Sequence, residues 1–337
     1  GMAEAAYRIF GAELSPYSVK VRSYFRYKQI PHEWVVRDAS TQGEFQKYAK
    51  LPLIPLVVTP EDEGLQDSTP ILEKMEARYP EPAVQPEDPV LAFISALLEE
   101  YADEWGNKHM FHYRWTYEPD QIATAHSIAA MQAPGLEEAQ LKAVADMVRE
   151  RMSGRLFFVG SSPETAPLIE GSMKEAAALL EAHLNGRAYV LGSRPSFADF
   201  GLYAQFYEMS LDPTAGAYLK ENHPGLLVWC ERMLNPDPKA GKEGGFEAWE
   251  SLKETLVPFL AREVGGRFLP WSTANATALA SGAETFEVEI EGGRFAQQPQ
   301  KYHARSLKAL KERYAASPAK DRLDPILKET GCLTYLA

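Results

Sequence analysis

Two cysteines, Cys230 and Cys332, are the whole thiol content of the 337 residues, and they lie far apart in the chain. That pair supports neither a disulfide framework nor a zinc-ligand spacing. A reduced, cytoplasmic protein with ordinary thiols is therefore expected. Basic residues are outnumbered: 35 Lys and Arg stand against 47 Asp and Glu, a formal charge of -12. A field of that sign repels phosphate, so no general affinity for nucleic acid or an anionic membrane is expected, although a local basic pocket for a small anion is compatible with it. No apolar run is long enough to span a bilayer. The opening residues Ala3 to Arg8 include Glu4 and no apolar core, unlike a signal peptide. What is present, 45% hydrophobic and 24% charged residues, suits a globular protein with a real core, and the length allows two domains with a third small unit.

The first eighty residues read as a small mixed sheet with helices on its faces. Tyr7 to Phe10 is β-rich and ends at Gly11; Val19 to Lys28 has helical periodicity; His32 to Val36 is a second strand; Thr41 to Tyr48 is a short helix; Leu53 to Thr59 holds a buried-type strand; Gly64 to Gln66 lies beside a turn; and Ile71 to Arg78 is a helix. Pro80, Pro82, Pro86 and Pro89 then mark a linker. Helical patterns follow at Val90–Trp115, Asp120–Ala130, Glu137–Ser153, Glu170–Leu184, Ser196–Tyr207 and Leu226–Met233. Beyond Asn235-Pro236-Asp237-Pro238 the tail suggests a helix at Phe246–Glu263, a strand at Thr285–Ile290, a turn at Glu291-Gly292-Gly293 with a returning strand from Arg294, and a helix at His303–Tyr314. The expected division is residues 2–82, residues 87–240 and an extension over 241–337 of open architecture.

Three short segments could carry chemistry. Ser15-Pro16-Tyr17 stands where a strand meets a helix N-terminus, whose free N–H groups and dipole favour an anion. A Ser hydroxyl there either donates to a thiolate or simply caps the helix. Ile54-Pro55 opens a strand; a cis peptide would turn the Ile54 main chain outward for pairing with a peptide-like ligand, whereas a trans proline would mark only an edge strand. Asp67-Ser68 opens a helix, either as a cap or as a site for a carboxylate with an ammonium beside it.

The order of these segments, Ser-Pro-aromatic, then Leu-Ile-Pro, then Asp-Ser, resembles the N-terminal domain of glutathione transferases, closest to the serine-type and omega-like branch. Arg194-Pro195-Ser196-Phe197-Ala198-Asp199 resembles the capping box that opens a core helix in the same family. The resemblance runs from Tyr7 to about Met233. It implies a thioredoxin-like glutathione-binding domain, an all-helical second domain, and an enzyme that activates the glutathione thiol for attack on a small, hydrophobic electrophile. By resemblance Ser15 stabilises the thiolate, Ile54 beside cis Pro55 pairs with the cysteinyl part, and Asp67 and Ser68 hold the γ-glutamyl end. Glutathione is the co-substrate, no metal is expected, and a homodimer is implied by the family alone.

Departures from the family pattern are equally specific. The stretch Ala49 to Leu53 replaces Asn-Pro-x-Gly-Lys, so Leu53 stands where a lysine would meet the glycyl carboxylate, with Lys47 and Lys50 nearby. Asp67 is shorter than the usual Glu or Gln. Such losses suit a second reading, a binding or scaffold protein without turnover. Tyr101, Trp105, His109, His112, Tyr113, Trp115 and Tyr117 crowd one helical stretch. With Tyr17, the first four are candidates for lining the electrophile pocket, against the alternative of packing between domains. A metal held by His109, His112 and Glu104 is a third, weaker reading.

Overall fold

The computed structural model describes residues 6–337. Strands β1 (Tyr7–Gly11), β2 (His32–Val36), β3 (Leu56–Val58) and β4 (Gly64–Gln66) form one sheet in the order β2-β1-β3-β4. β2 runs parallel to β1, while β3 and β4 are added antiparallel. A parallel neighbour needs a crossover, here supplied by α1 (Pro16–Tyr27). The helices α2 (Gln42–Tyr48) and α3 (Ser68–Arg78) complete the unit.

α1 lies very close to the sheet. A Cβ on Gly11 would sit 2.8 Å from the Trp34 ring and 2.9 Å from the Ser18 side chain. Gly11→Ala is therefore expected to lower stability by about 1–3 kcal/mol, the range for overpacking, read as a lower urea midpoint.

The helical half begins with α4 (Pro89–Tyr101), capped by Asp88, whose carboxylate accepts from the Val90 N–H at 2.9 Å. The helix runs through a π-helical turn, Ala102–Gly106, into α5 (Asn107–Thr116), matching the single run expected from the sequence. Five further helices span Glu118–Gln132, Glu138–Ser153, Ala166–Leu184, Phe197–Leu211 and Pro224–Leu234, and Pro213–Asn222, unanticipated, lies among them. Phe197–Leu211 is buried on nearly every face. The Asp199 carboxylate accepts from the Ser196 N–H (2.9 Å), the Val190 N–H (2.8 Å) and Trp229 Nε1 (3.1 Å), so the expected cap also ties three segments together.

The tail is part of the same core. It contains helices Trp249–Phe259, Leu269–Ala280, Lys301–Ala316 and Lys320–Glu329, a π-helical stretch Leu260–Phe268, and a hairpin of β5 (Phe286–Ile290) and β6 (Gly293–Gln297). The hairpin matches the sequence expectation; Leu269–Ala280 and Lys320–Glu329 were not anticipated. Rings from the tail pack on α4 and the π turn: Phe259 lies 5.3 Å from Tyr101, and Trp271 and Phe295 each lie 5.7 Å from Trp105. Lys108 is buried with no carboxylate partner among the described residues; its Nζ donates to Val159 O (3.0 Å) and Gln297 Oε1 (2.6 Å) and sits 3.9 Å over the Trp271 ring. Burial without an ion pair pushes its pKa well below the usual lysine value. No helix among the described residues is long and apolar enough to cross a membrane.

Candidate functional site

Strand register brings the three sequence segments to one end of the sheet. Phe10 pairs with Leu56, and Leu56 with Gln66. Ala12, Ile54 and Ser68 each lie within two residues of these paired strand ends. Neighbouring strands are about 5 Å apart, so the ends of β1, β3 and β4 share one rim. Ser15 is tied to that rim by its N–H, which donates to Ala12 O at 3.1 Å. The Ile54–Pro55 peptide is cis.

Ser15 is half-buried and caps α1, its Oγ accepting from the Ser18 N–H at 3.2 Å. Accepting through a lone pair leaves the hydroxyl hydrogen free to donate, so the cap and the anion-stabilising role are compatible. The Ser15 loop is held from the helical domain: Arg114 donates to Leu14 O (2.7 Å) while its other nitrogens bind Asp212 (2.9 Å) and Glu208 (3.0 Å). Tyr17 donates its hydroxyl to Asp103 O at 2.6 Å, which commits that group to the domain junction.

At α3, Asp67 has a left-handed backbone (φ 74°) and makes no side-chain cap. Ser68 is buried, and its Oγ accepts from Lys20 Nζ at 3.0 Å. Lys20 is the centre of a buried cluster, 2.8 Å from Glu99 and 2.7 Å from Asp103. Burial alone would lower its pKa, but the two carboxylates outweigh that and hold it above the usual lysine value.

The acidic stretch Glu99, Glu100, Asp103, Glu104 is covered by helix Lys301–Ala316. Ser306 donates to Glu104 at 2.9 Å and His303 contacts the same carboxylate. Burial first, and then repulsion from Asp103 and Glu99, pushes Glu100 from 4.5 up to about 8. A carboxyl with a raised folded pKa binds its proton more tightly in the fold than in the unfolded chain. Its contribution to stability is thus full at acid pH and declines as pH rises from about 4.5 to about 8. Glu100→Gln is expected to flatten this part of the stability–pH curve, measured by urea unfolding between pH 5 and 9.

Four candidates for an electrophile pocket lie in the core instead. Tyr101, Trp105, His109 and His112 have at most 1% of their surface exposed. Tyr101 donates to Glu263 (2.6 Å), Trp105 Nε1 to Ser172 (2.9 Å), and His109 Nε2 lies 2.8 Å from the same Ser172 hydroxyl. Burial pushes the His109 pKa down to about 3, so the imidazole is neutral. His112 sits between Ser161 (2.6 Å) and Glu170 (2.9 Å). This is the hydroxyl–imidazole–carboxylate order of an activated nucleophile, but Ser161 is only 5% exposed and its N–H is bonded to Leu156 O, so the trio ties α5 to helix Ala166–Leu184 and to the loop before it. Aromatic spacing on a helix looks alike for a pocket wall and a core, and the tail that buries these rings comes from the far end of the chain.

Two residues at the rim were not singled out by sequence. Arg37 follows β2, and its N–H donates to Gly11 O at 3.2 Å. Its guanidinium stacks 4.0 Å over Phe45 and donates to Gln42 (3.2 Å) and to Pro52 O (3.0 Å), inside the loop that lacks the expected lysine. Leu53 is 59% exposed. The missing lysine signalled a need for another cation, yet only the β2 register brings Arg37 there. The second residue is Tyr302, whose hydroxyl donates to Asp67 Oδ1 at 2.8 Å.

Residues 9–83 match the model described as Glutathione S-transferase, N-terminal domain, and residues 125–232 match Glutathione S-transferase, C-terminal domain. The chain belongs to the glutathione transferase superfamily. Solved transferase-fold structures are similar at low identity. One is a glutathione S-transferase from Methylobacterium radiotolerans in complex with glutathione sulfonate, 22% identical, with 72% of this chain and 97% of that one covered and a TM-score of 0.42. Another is a beta-etherase from Sphingobium sp. strain SYK-6, 20% identical, covering 71% and 98%, with a TM-score of 0.46. A third is a glutathione transferase from Phanerochaete chrysosporium, 15% identical, covering 70% and 98%, with a TM-score of 0.48. No curated protein matches the sequence. Relative to the two matched domains, this chain carries its hairpin and tail helices beyond the C-terminal match.

Proposed function

We propose that this chain is a glutathione-dependent transferase that binds the tripeptide along the shared rim of β1, β3 and β4 and ionises its thiol beside Ser15. The observation that supports the reading is the strand register, which brings the Phe10, Leu56 and Gln66 ends of three strands together, so that the segments at Ser15, Ile54 and Ser68 leave the sheet from one rim. In this pose the Ile54 main chain beside Pro55 pairs with the cysteinyl residue in strand fashion. Ser68 and the α3 N-terminus receive the γ-glutamyl carboxylate, and Asp67 its ammonium. Arg37 supplies the positive charge for the glycyl carboxylate that Leu53 cannot.

The chemistry follows from the placement of an anion at a helix start. The Ser15 hydroxyl and the first N–H groups of α1 favour thiolate over thiol, which lowers the thiol pKa. The thiolate attacks an electrophilic carbon, forming a sulfur–carbon bond while the leaving group or π bond takes the displaced electron pair. The protein contributes position and field, and glutathione the nucleophile. With Tyr101, Trp105, His109 and His112 in the core, second-substrate contacts come from other residues. The unpaired, buried thiols Cys230 and Cys332 fit a reducing, cytoplasmic setting.

One observation favours the non-catalytic reading: the Tyr302 hydroxyl already occupies Asp67. Calorimetric titration with glutathione, followed by thioether formation from glutathione and a chromogenic aryl halide, separates the two. Micromolar binding with turnover supports the transferase. Binding without turnover across a panel of aryl, alkyl and epoxide electrophiles supports the binding protein, and millimolar or absent binding overturns the transferase and favours the scaffold.

A further inference from the structure

Asp67 is where the C-terminal tail enters the rim. Tyr302 is the second residue of helix Lys301–Ala316, and its hydroxyl bonds Asp67 across 235 residues of sequence. The rest of that helix is anchored elsewhere. Ser306 donates to Glu104 at 2.9 Å, the His303 ring packs 4.6 Å from Trp271, and Arg313 pairs with Glu73 at 2.6 Å. Tyr302 itself is 42% exposed. Release of Asp67 thus requires only this side chain to turn, since Ser306, His303 and Arg313 hold the helix at other points.

We propose that Tyr302 is an autoinhibitory contact, a built-in competitor for the carboxylate that the free ammonium of a γ-glutamyl peptide must engage. This rests on the glutathione reading above and adds a regulatory element to it. A neutral hydroxyl on a carboxylate forms a weaker bond than an ammonium does, because the latter is an ion pair as well as a hydrogen bond. An arriving ammonium thus displaces Tyr302, but the net gain is reduced by the bond that is broken. The tail thereby senses occupancy of the rim: Tyr302 is held while the site is empty and released when it fills. Asp67 suits this double use. Its backbone conformation directs the carboxylate away from capping α3, and no intrahelical bond competes for it.

The test is calorimetry on the full chain, wild type against Tyr302→Phe, with two probes: glutathione, and glutaryl-cysteinyl-glycine, the same peptide without its amino group. Tyr302→Phe is expected to bind glutathione about tenfold more tightly, the scale of one hydrogen bond to a charged group. The deaminated peptide makes no demand on Asp67 and should bind both forms alike. In wild type, glutathione should also speed amide hydrogen exchange around residues 300–303. Equal or weaker glutathione binding by the variant overturns the proposal while leaving the glutathione reading intact. An equal gain for both peptides overturns it too, since Tyr302 would then be obstructing by bulk. If neither form binds glutathione, the glutathione reading falls and the proposal with it. Loss of a single hydroxyl from a half-exposed ring leaves the fold in place, checked by an unchanged melting curve.

Discussion

Lys20→Met lowers the unfolding free energy by about 3–5 kcal/mol, the cost of stripping the partner from buried charges. The Lys20 ammonium touches Glu99, Asp103, Ser68 and Thr69 at 2.7–3.3 Å. Without it two carboxylates share one buried site with no cation between them. The expected readout is a lower urea midpoint with an unchanged slope. Adding Glu99→Gln and Asp103→Asn to Lys20→Met should recover much of the loss, because the penalty comes from the abandoned charges more than from the missing bonds. A variant as stable as wild type would show that water or a local rearrangement solvates the pair. The pH sign is fixed by the raised Lys20 pKa. Its contribution is complete below the ordinary lysine value of 10.5 and is lost only as pH climbs past the folded value. The cluster also joins α1, α3 and α4, so its loss loosens Ser68 and the α3 N-terminus, and glutathione affinity should fall with stability.

Ser15→Ala is expected to lower kcat/KM for glutathione with an aryl halide about 10- to 100-fold near neutral pH, the scale of one hydrogen bond to an anion. The pH profile is the sharper measurement. With the hydroxyl gone, the apparent pKa of the bound thiol rises, so the rate deficit should shrink at alkaline pH, where the thiol ionises unaided. Ser15→Thr keeps a hydroxyl and should retain most of the rate. Stability reports separately: Ser15 also caps α1, and losing an N-cap costs about 1 kcal/mol. A Ser15→Ala variant with the same rate and the same pH profile would confine Ser15 to capping.

Much of the fold was legible because local physics governs those parts. Pro16 after Ser15 marks a helix start, Ser196 with Asp199 marks another, and the Val90–Trp115 periodicity reveals a long helix whose π turn leaves the pattern unbroken. The hairpin at Phe286–Gln297 was readable from alternation around a glycine turn. Leu269–Ala280 was missed because it is buried on several faces and shows no amphipathic stripe. Lys320–Glu329 was missed because Pro325 and its charge density disguise it.

The sequence by itself determined the order of strands and helices in the first unit, the helix starts at Pro16 and after Ser196, and the identity of the residues at the three rim segments, since each depends on neighbours within a few positions. Only the tertiary structure decided that Arg37 stands beside the loop that lost its lysine, that Tyr101, Trp105, His109 and His112 belong to the core, and that Tyr302 reaches Asp67. Those outcomes depend on contacts between residues tens to hundreds of positions apart, where burial and pairing are properties of the packed chain and have no local signature.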